Sequence, residues 1–260
     1  MESETTMTRF RDKNVMVTGA GSGIGRATAI EFAREGGRVA VVDLHEEGAL
    51  ATVAAIEGEG GEAWFAPCDV SDEQSVAGLF DALRQRFAAL DVAVNNAGIQ
   101  FGNHFVEDTQ LDHFDRIMAV NVRGVFLCMQ EEIRWMKRQG HGAIVNTASL
   151  AAHEAQPMLG AYTASKHAVW GLTKTAAIEL ARSNIQVNAV SPGAVDTEMF
   201  QAYFEGKPDE RQALLDVLPT RRALTPREIA RGILYCASPD ASQFIGQTLN
   251  LDGGCVGVKA

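Results

Sequence analysis

The feature that most constrains this chain is a regular alternation between short apolar segments and longer amphipathic segments. The apolar runs cover residues 14–19, 38–43, 63–70, 91–98, 142–149, 186–193 and 247–254. Segments with helical spacing cover 23–37, 46–61, 71–90, 111–138 and 162–182. The short runs are apolar on both sides, as expected of parallel strands covered by helices on both faces. The alternation therefore predicts a doubly wound α/β fold.

The same pattern predicts a single domain over residues 1–260, because no linker, charge block or low-complexity segment divides the chain. A content of 46% apolar residues is sufficient for one large core. Residues 1–10 are polar and are expected to form a flexible tail. The least regular segment, 194–225, contains two prolines and is interpreted as a substrate lid at the carboxyl edge of the sheet.

Charge and cysteine content exclude several classes of function. The formal net charge is −10 and no Lys/Arg block occurs, which disfavours nucleic-acid and anionic-membrane partners. No apolar run reaches membrane-spanning length, and the polar, acid-containing start is unlike a secretory signal, so a cytoplasmic protein is expected. The four cysteines form no C-x-x-C pair and have no His at ligand spacing, which predicts reduced, mostly buried thiols and no metal site.

A glycine-rich turn joins the first predicted strand to the first predicted helix. Its sequence, TGAGSGIG (18–25), has the spacing G-x-x-x-G-x-G through Gly19, Gly23 and Gly25. Such glycines let the backbone approach a ligand closely, and the helix N-terminus offers N–H groups to a pyrophosphate. Asp43 follows at the end of the second strand, where a carboxylate accepts hydrogen bonds from ribose hydroxyls and repels a 2′-phosphate. Together they predict an NAD site rather than an NADP site.

A Tyr-x-x-x-Lys pair opens the helix predicted over 162–182. Tyr162 and Lys166 are four residues apart and therefore share a helix face. An ammonium group near a phenol favours the phenolate, which could accept a proton. The spacing alone also suits an ordinary helix surface, so only the other motifs of the chain can indicate whether the pair handles a proton.

Several motifs in order resemble those of the short-chain dehydrogenase/reductase family. They are TGAGSGIG, CDV with Asp69, NNAG (95–98), VNVRG with Asn121, NTAS with Ser149, the Tyr162–Lys166 pair and SPGAVDT (191–197). The resemblance extends from about Asp12 to Gly254. It implies a Rossmann-type doubly wound parallel sheet and an NAD-dependent secondary-alcohol dehydrogenase.

The resemblance also implies a role for each matching residue. Asn121, Ser149, Tyr162 and Lys166 would be catalytic: Tyr162 as general base, Lys166 as its partner, Ser149 on the substrate oxygen and Asn121 on a proton-carrying water. The implied NAD-binding residues are Gly19, Ser22, Gly23, Ile24, Gly25, Asp43, Leu44, Asp69, Val70, Asn96, Ala97, Gly98, Val120, Tyr162, Lys166, Pro192, Gly193, Val195 and Thr197.

The substrate pocket is the least determined part of the sequence. Ser149, Gln156, Tyr162, Met199 and Phe200 are its candidate residues, and an apolar, partly aromatic lining favours a hydrophobic cyclic alcohol such as a terpenoid, steroid or dihydrodiol. The helical spacing around Met199 and Phe200 equally suits a small helix packed on the body. His153 is left open between a polar lining of the substrate site and a solvent-facing loop.

Two other functions are compatible with parts of this pattern. A 3-oxoacyl-carrier-protein reductase would prefer NADPH and a basic docking patch, against which Asp43 and the acidic total argue. A cofactor-sensing protein without chemistry would have lost Tyr162 or Lys166, and both are present. By analogy with family tails that pack between subunits, the C-terminal LDGGCVGVKA segment favours a homotetramer.

Overall fold

The computed structural model describes residues 8–102 and 104–255 and contains one seven-stranded parallel sheet. Its strands are Asn14–Thr18 (β1), Arg38–Asp43 (β2), Glu62–Pro67 (β3), Val92–Asn95 (β4), Gly142–Thr147 (β5), Ile185–Pro192 (β6) and Thr248–Leu251 (β7). They are ordered β3-β2-β1-β4-β5-β6-β7. The chain therefore reverses its direction of winding between β1 and β4, as in a Rossmann-type doubly wound sheet. The predicted fold class is confirmed.

Helices cover both faces of this sheet. Their bounds are Gly23–Arg34 (α1), Glu46–Gly58 (α2), Glu73–Arg86 (α3), Leu111–Met118 (α4), Val125–Gln139 (α5), Gly160–Leu180 (α6), Glu198–Tyr203 (α7), Pro208–Val217 (α8) and Pro226–Ala237 (α9). Successive side chains of a strand point to opposite faces. Accordingly Val15 and Val17 of β1 join a core with α1, α2 and α9, whereas Met16 joins a core with α3, α5 and α6.

The helix predicted over 111–138 is interrupted in the structure. Residues Ala119–Gly124 form a π-helical segment between α4 and α5, with Asn121 fully buried inside it. An inserted π turn is a local change of register that often occurs at functional sites. Helix α3 also begins later than predicted, because Asp72 rather than Ser71 is its N-cap and accepts from Ser75 N.

Of the tail expected over residues 1–10, the structure describes residues 8–10, and two of these pack on the rest of the protein. Arg9 donates to the Glu35 carboxylate at 2.7 Å, and Phe10 is 2% exposed. The Phe10 ring packs edge-to-face on Phe32 with centroids 4.7 Å apart. Residues 8–10 are therefore part of the fold. Residues 1–7, and residues 256–260 of the segment expected to lie between subunits, are outside the described residues.

The segment predicted as a lid, residues 194–225, has a defined base. Val195 and Leu224 form an isolated parallel bridge, in which Leu224 N donates to Ala194 O and Asp196 N donates to Leu224 O, each at 2.8 Å. Helices α7 and α8 lie between these two points.

Within the described ranges, no helix is both long and apolar enough to span a membrane. Cys68, Cys128 and Cys236 are buried free thiols, and Cys255 is partly exposed.

Candidate active site

The predicted site residues meet at one edge of the sheet. Parallel strands present their carboxyl ends together, and a crevice opens where the winding direction reverses. Here that point lies between β1, which leads into α1, and β4, which leads towards α4. The loops after β1, β2, β3, β4, β5 and β6 carry the residues predicted from the sequence. The sheet thus gathers segments that are up to 178 positions apart, from Gly19 to Thr197.

The glycine loop is closed so tightly that side chains are excluded. Gly19 has φ +62°, and a Cβ on it would lie 2.9 Å from Ala97 Cα. A Cβ on Gly25 would lie 2.0 Å from Gly19 O. Ser22 is the N-cap of α1 and makes no side-chain cap bond, so Ser22, Gly23 and Ile24 present backbone at the first turn. This is a cradle with a helix N-terminus, which fits a dinucleotide pyrophosphate.

Asp43 lies beside this loop. Its Oδ2 accepts from Gly21 N at 2.8 Å and its Oδ1 accepts from His45 N at 2.9 Å. A carboxylate has about four acceptor positions, so it can still receive ribose hydroxyls. Leu44, which follows, is 60% exposed. The sequence analysis missed Arg26, whose guanidinium donates to Gly21 O and to Thr52 Oγ1 and therefore braces the loop from the α1 side.

The end of β4 is tied to the end of β1. Thr18 Oγ1 accepts from Asn96 N at 3.0 Å and from Ala97 N at 3.1 Å. The Asn96 amide returns these bonds by donating to Thr18 O and Gly19 O. The NNAG turn therefore fixes the glycine loop, and the two halves of the crevice are one hydrogen-bonded unit.

The loop after β3 lies next along the crevice. Asp69 Oδ1 accepts from both the N–H and the hydroxyl of Ser71, which shapes the turn. Val70 is buried, and a Cβ on Gly124 would lie 2.9 Å from Val70 Cγ2. Val120 is part of the π-helical segment that packs there. Asp69, Val70 and Val120, all predicted to bind NAD, thus lie where this loop contacts the π-helical segment.

Tyr162 and Lys166 lie in the first turns of α6 as the spacing predicts. Lys166 is buried, its Nζ donates to Thr147 O at 2.8 Å, and it lies 5.5 Å from the centre of the Tyr162 ring. Burial lowers the pKa of Lys166 to about 8. Burial also raises the pKa of Tyr162, although a hydrogen bond with Ser149 opposes this. Burial thus disfavours the Tyr162 phenolate, and positive charge in the crevice would favour it.

Asn121 is held by its side chain within the π-helical segment. Its Oδ1 accepts from Ile99 N at 2.8 Å, and its Nδ2 donates to Ile99 O at 2.9 Å and to Ser165 Oγ at 3.2 Å. A Cβ on Gly98 would lie 3.4 Å from Asn121 Oδ1 and 3.5 Å from Lys166 Nζ. Asn121 therefore joins the turn after β4 to α6, close to Lys166.

The segment after β6 completes the crevice. Gly193 N donates to Leu251 O at 2.9 Å, immediately after Pro192 ends the strand. Val195 lies in the bridge at the lid base, and Thr197 caps α7 by accepting from Phe200 N. A Cβ on Gly23 would lie 3.2 Å from Thr197 Cγ2, so the start of α7 touches the glycine loop.

The predicted substrate residues are less closely organised. Ser149 begins a short turn, accepting from Ala151 N, and Gln156 is partly exposed in the same loop. Met199 is 47% exposed, whereas the Phe200 ring packs on Phe204 with centroids 4.9 Å apart. The two lid residues therefore differ, because only Phe200 is fixed by neighbouring rings.

His153 is anchored against the body rather than directed to solvent. Its Nε2 is 2.9 Å from Ser191 Oγ, and its ring lies 4.4 Å from Trp170. Burial lowers the pKa of His153. The ring therefore joins the loop after Ser149 to the end of β6.

A shallow cavity beside Tyr162 contains residues that the sequence analysis did not assign. Phe101, His104, His113 and Met158 line it together with Tyr162. The Phe101 and His113 rings stack at 4.8 Å. Phe101 lies three residues after the NNAG motif, whereas His104, His113 and Met158 belong to no sequence motif.

Comparison with known proteins extends the likeness over nearly the whole chain. A family model described as enoyl-(acyl carrier protein) reductase matches residues 19–256. A 3beta-hydroxysteroid dehydrogenase of Mediterraneibacter gnavus is 40% identical over 267 residues, covering 95% of this chain and 96% of the relative. A 2,5-dichloro-2,5-cyclohexadiene-1,4-diol dehydrogenase of Sphingobium indicum is 39% identical over 249 residues, covering 95% and 98%.

The fold is equally close to that of a solved structure. A crystal structure of NAD+-bound xylitol dehydrogenase has a TM-score of 0.91 and 36% identity, and the match covers 94% of this chain and 99% of that one.

Proposed function

Because the chain belongs to the short-chain dehydrogenase/reductase family and is an oxidoreductase acting on CH–OH groups, we propose that it interconverts a secondary alcohol and its ketone with NAD. The observation that carries this proposal is the convergence of Tyr162, Ser149 and Lys166 at the sheet edge beside the glycine loop. When bound, NAD+ supplies a hydride acceptor at its nicotinamide C4.

Preference for NAD over NADP rests on Asp43. The carboxylate lies against the loop at the end of β2, and Leu44 rather than a base follows it. A 2′-phosphate in that position would meet a like charge, whereas two ribose hydroxyls would find acceptors. Arg26, the nearest cation to the loop, already donates to Gly21 O and Thr52.

In alcohol oxidation, Tyr162 takes the hydroxyl proton while Ser149 donates a hydrogen bond to the same oxygen. Lys166 lowers the free energy of the phenolate, because its buried ammonium group lies one turn further along the same face of α6, with Nζ 5.5 Å from the centre of the Tyr162 ring. Asn121 holds the segment around Ile99 beside Lys166, where a water would carry the proton outward. In the reverse direction, Tyr162 returns the proton to the ketone oxygen.

A hydrophobic cyclic alcohol is the proposed substrate class. Phe101, Met158 and Ile117 line the cavity beside Tyr162, and Phe200 lies on the lid. The steroid and cyclohexadiene-diol dehydrogenases among the relatives support a cyclic substrate, whereas xylitol is an open-chain polyol. We further propose a cytoplasmic homotetramer, supported by exposed apolar residues such as Phe126 and Ile178 on α5 and α6.

A panel of secondary alcohols, followed by NADH absorbance, tests the proposal. We expect bulky cyclic alcohols to turn over with a higher kcat/KM than small polyols, and NAD+ to be preferred to NADP+. Tyr162→Phe should bind NAD+ normally and lose about 10³-fold in kcat, whereas Tyr235→Phe, on α9, should be unchanged. Undiminished turnover by Tyr162→Phe would refute the mechanism, and faster turnover of polyols would refute the substrate class.

A further inference from the structure

A buried polar network runs beneath the catalytic edge of the sheet and is not used by the proposed mechanism. Glu132 of α5 is fully buried. Asn95 Nδ2 donates to Glu132 Oε2 at 3.1 Å and to Asn146 Oδ1 at 3.0 Å. Asn146 Nδ2 then donates to Thr173 Oγ1 at 2.9 Å. The network therefore joins α5, β4, β5 and α6 side by side.

Two oxygens in this network lack a donor. Glu132 Oε1 and Asn95 Oδ1 are both buried and have no hydrogen-bond partner. Both are acceptors, and they belong to side chains already joined by one hydrogen bond. A buried carboxylate is strongly unfavourable when one of its oxygens has no hydrogen-bond donor among the described residues, because the protein then leaves its charge uncompensated. One added proton would provide the missing donor.

We infer that Glu132 is a neutral carboxylic acid in the folded protein and that its O–H donates to Asn95 Oδ1. An acid and a primary amide then form two antiparallel hydrogen bonds, and both orphaned oxygens are satisfied. The surroundings agree, because burial raises the pKa of Glu132 to about 8. Its titratable neighbour is Cys128, one turn earlier on α5, which is itself buried. Asn95 of β4 contacts Glu132, and the neutral Asn146 and Thr173 extend the network onto β5 and α6. The cations on the other elements packed against α5 have partners elsewhere: Arg84 of α3 pairs with Glu131, and Arg123 of the π-helical segment pairs with Glu73.

This pair makes Glu132 a positioning residue. Asn95 immediately precedes the turn whose Asn96 and Ala97 bond Thr18. Asn146 immediately precedes Thr147, whose carbonyl holds Lys166. The acid–amide pair thus fixes the Asn95 side chain on α5, and the hydrogen bond from Asn95 to Asn146 extends this restraint from the end of β4 to the end of β5. This consequence rests on the proposed function, whereas the protonation state does not.

The protonation state predicts the direction of a pH effect. An unfolded chain releases this proton near the ordinary pKa of 4.5, and the folded chain keeps it up to about 8. Between these values the folded protein binds one more proton, so its free energy of unfolding falls as pH rises. The unfolding equilibrium constant should increase about tenfold per pH unit through this group. Glu132→Gln keeps a donor and an acceptor and should lack that dependence.

The experiment compares the full-length wild type with Glu132→Gln and with Glu131→Gln. Glu131 is the matched control, because it pairs with Arg84 and Arg134 at the surface. We expect infrared difference spectra at pH 7 to show a carboxylic-acid C=O band that Glu132→Gln removes and Glu131→Gln keeps. In urea unfolding between pH 5 and 8, we also expect the free energy of unfolding of wild type to fall relative to that of Glu132→Gln. Relative to Glu131→Gln, it should not fall.

Absence of the acid band, or an identical pH slope in wild type and Glu132→Gln, would overturn the inference about the proton. NAD+ affinity measured by calorimetry tests the positioning role: Glu132→Gln should stay within about twofold of wild type, and Glu132→Leu should bind at least about tenfold more weakly. If Glu132→Leu does not fold, loss of affinity in wild type above pH 8 that Glu132→Gln lacks serves the same purpose. Normal binding under both conditions would leave Glu132 as a structural acid and refute the positioning role.

Discussion

The two regions that border the crevice are built in opposite ways. The crevice floor, made by the turns after β1 and β4 with the first turns of α6, is partly buried and is cross-linked by hydrogen bonds that involve Thr18, Asn96 and Asn121. The lid, residues 194–225, has a bridged base and short helices whose side chains are largely exposed, such as Met199 and Val217. The floor thus suits a ligand whose structure does not vary, such as a cofactor, and the lid suits substrates whose structures differ.

This difference separates two kinds of recognition. Most floor contacts are made by backbone groups or short polar side chains, which leave little freedom for substitution. The lid contacts are mainly between aromatic rings and cations, such as Phe200 with Phe204 and Arg211. Cofactor binding should therefore respond sharply to changes in the floor, and substrate preference should respond gradually to changes in the lid.

The largest expected effect on cofactor binding is that of a methyl group in the glycine loop. Gly25→Ala places a Cβ 2.0 Å from Gly19 O, which must displace the loop. We expect NAD+ to bind about 100-fold more weakly by calorimetry. Gly78→Ala, on α3, meets no atom within 4 Å and should bind normally with slightly increased stability. Binding by Gly25→Ala within threefold of wild type would show that the floor is more adaptable than its contacts suggest.

A smaller effect is expected from removing the Asp43 charge. Asp43→Ser should lower the ratio of kcat/KM for NAD+ over NADP+ by about tenfold or more, since the repulsion of a 2′-phosphate is lost. Asp81→Ser makes the same charge change on an exposed face of α3 and should leave the ratio unaltered. Equal ratios in the two variants would remove Asp43 as the determinant of cofactor preference.

The smallest effect is expected in the lid. Phe200→Ala should raise KM for a cyclic alcohol about threefold to tenfold, through loss of apolar contact, and should leave the Kd of NAD+ unchanged. Val217→Ala removes an exposed side chain of the same segment and should change neither. If Phe200→Ala weakened NAD+ binding as much as it raised KM, the lid would have to be counted as part of the floor.

The residues that the structure brings together in the floor could be picked out from the sequence because their motifs act locally. A glycine that must lie under a neighbouring backbone, or a Tyr and Lys one helical turn apart, is determined within a few residues. The π-helical segment at Asn121 was missed, because it depends on contacts with Ile99 and Ser165, 22 and 44 positions away. The orientation of His153 depends similarly on Ser191.

Glu132 illustrates a signal that was present but not used. It follows Glu131, and two adjacent acids are by themselves typical of an exposed helix surface. However, the buried stripe of α5 has the spacing of a core-facing helix side and consists of Val125, Cys128, Met129, Glu132, Trp135 and Met136. An acid within such a stripe must find a partner or a proton. Which of these it finds depends on Asn95, 37 positions earlier, and only the folded arrangement supplies that residue.

The bonds from Asn96 and Ala97 to Thr18 also bear on how the protein is synthesised. They join positions 78 and 79 residues apart. Strands β2 and β3 lie between β1 and β4 in the sequence, so both are synthesised before β4 can pair with β1. Parallel pairings of such high contact order form slowly. A nascent chain that has not yet emerged as far as Asn96 carries the complete glycine motif but lacks the turn that shapes it. The proposed dinucleotide can therefore stabilise the chain only after that turn has formed.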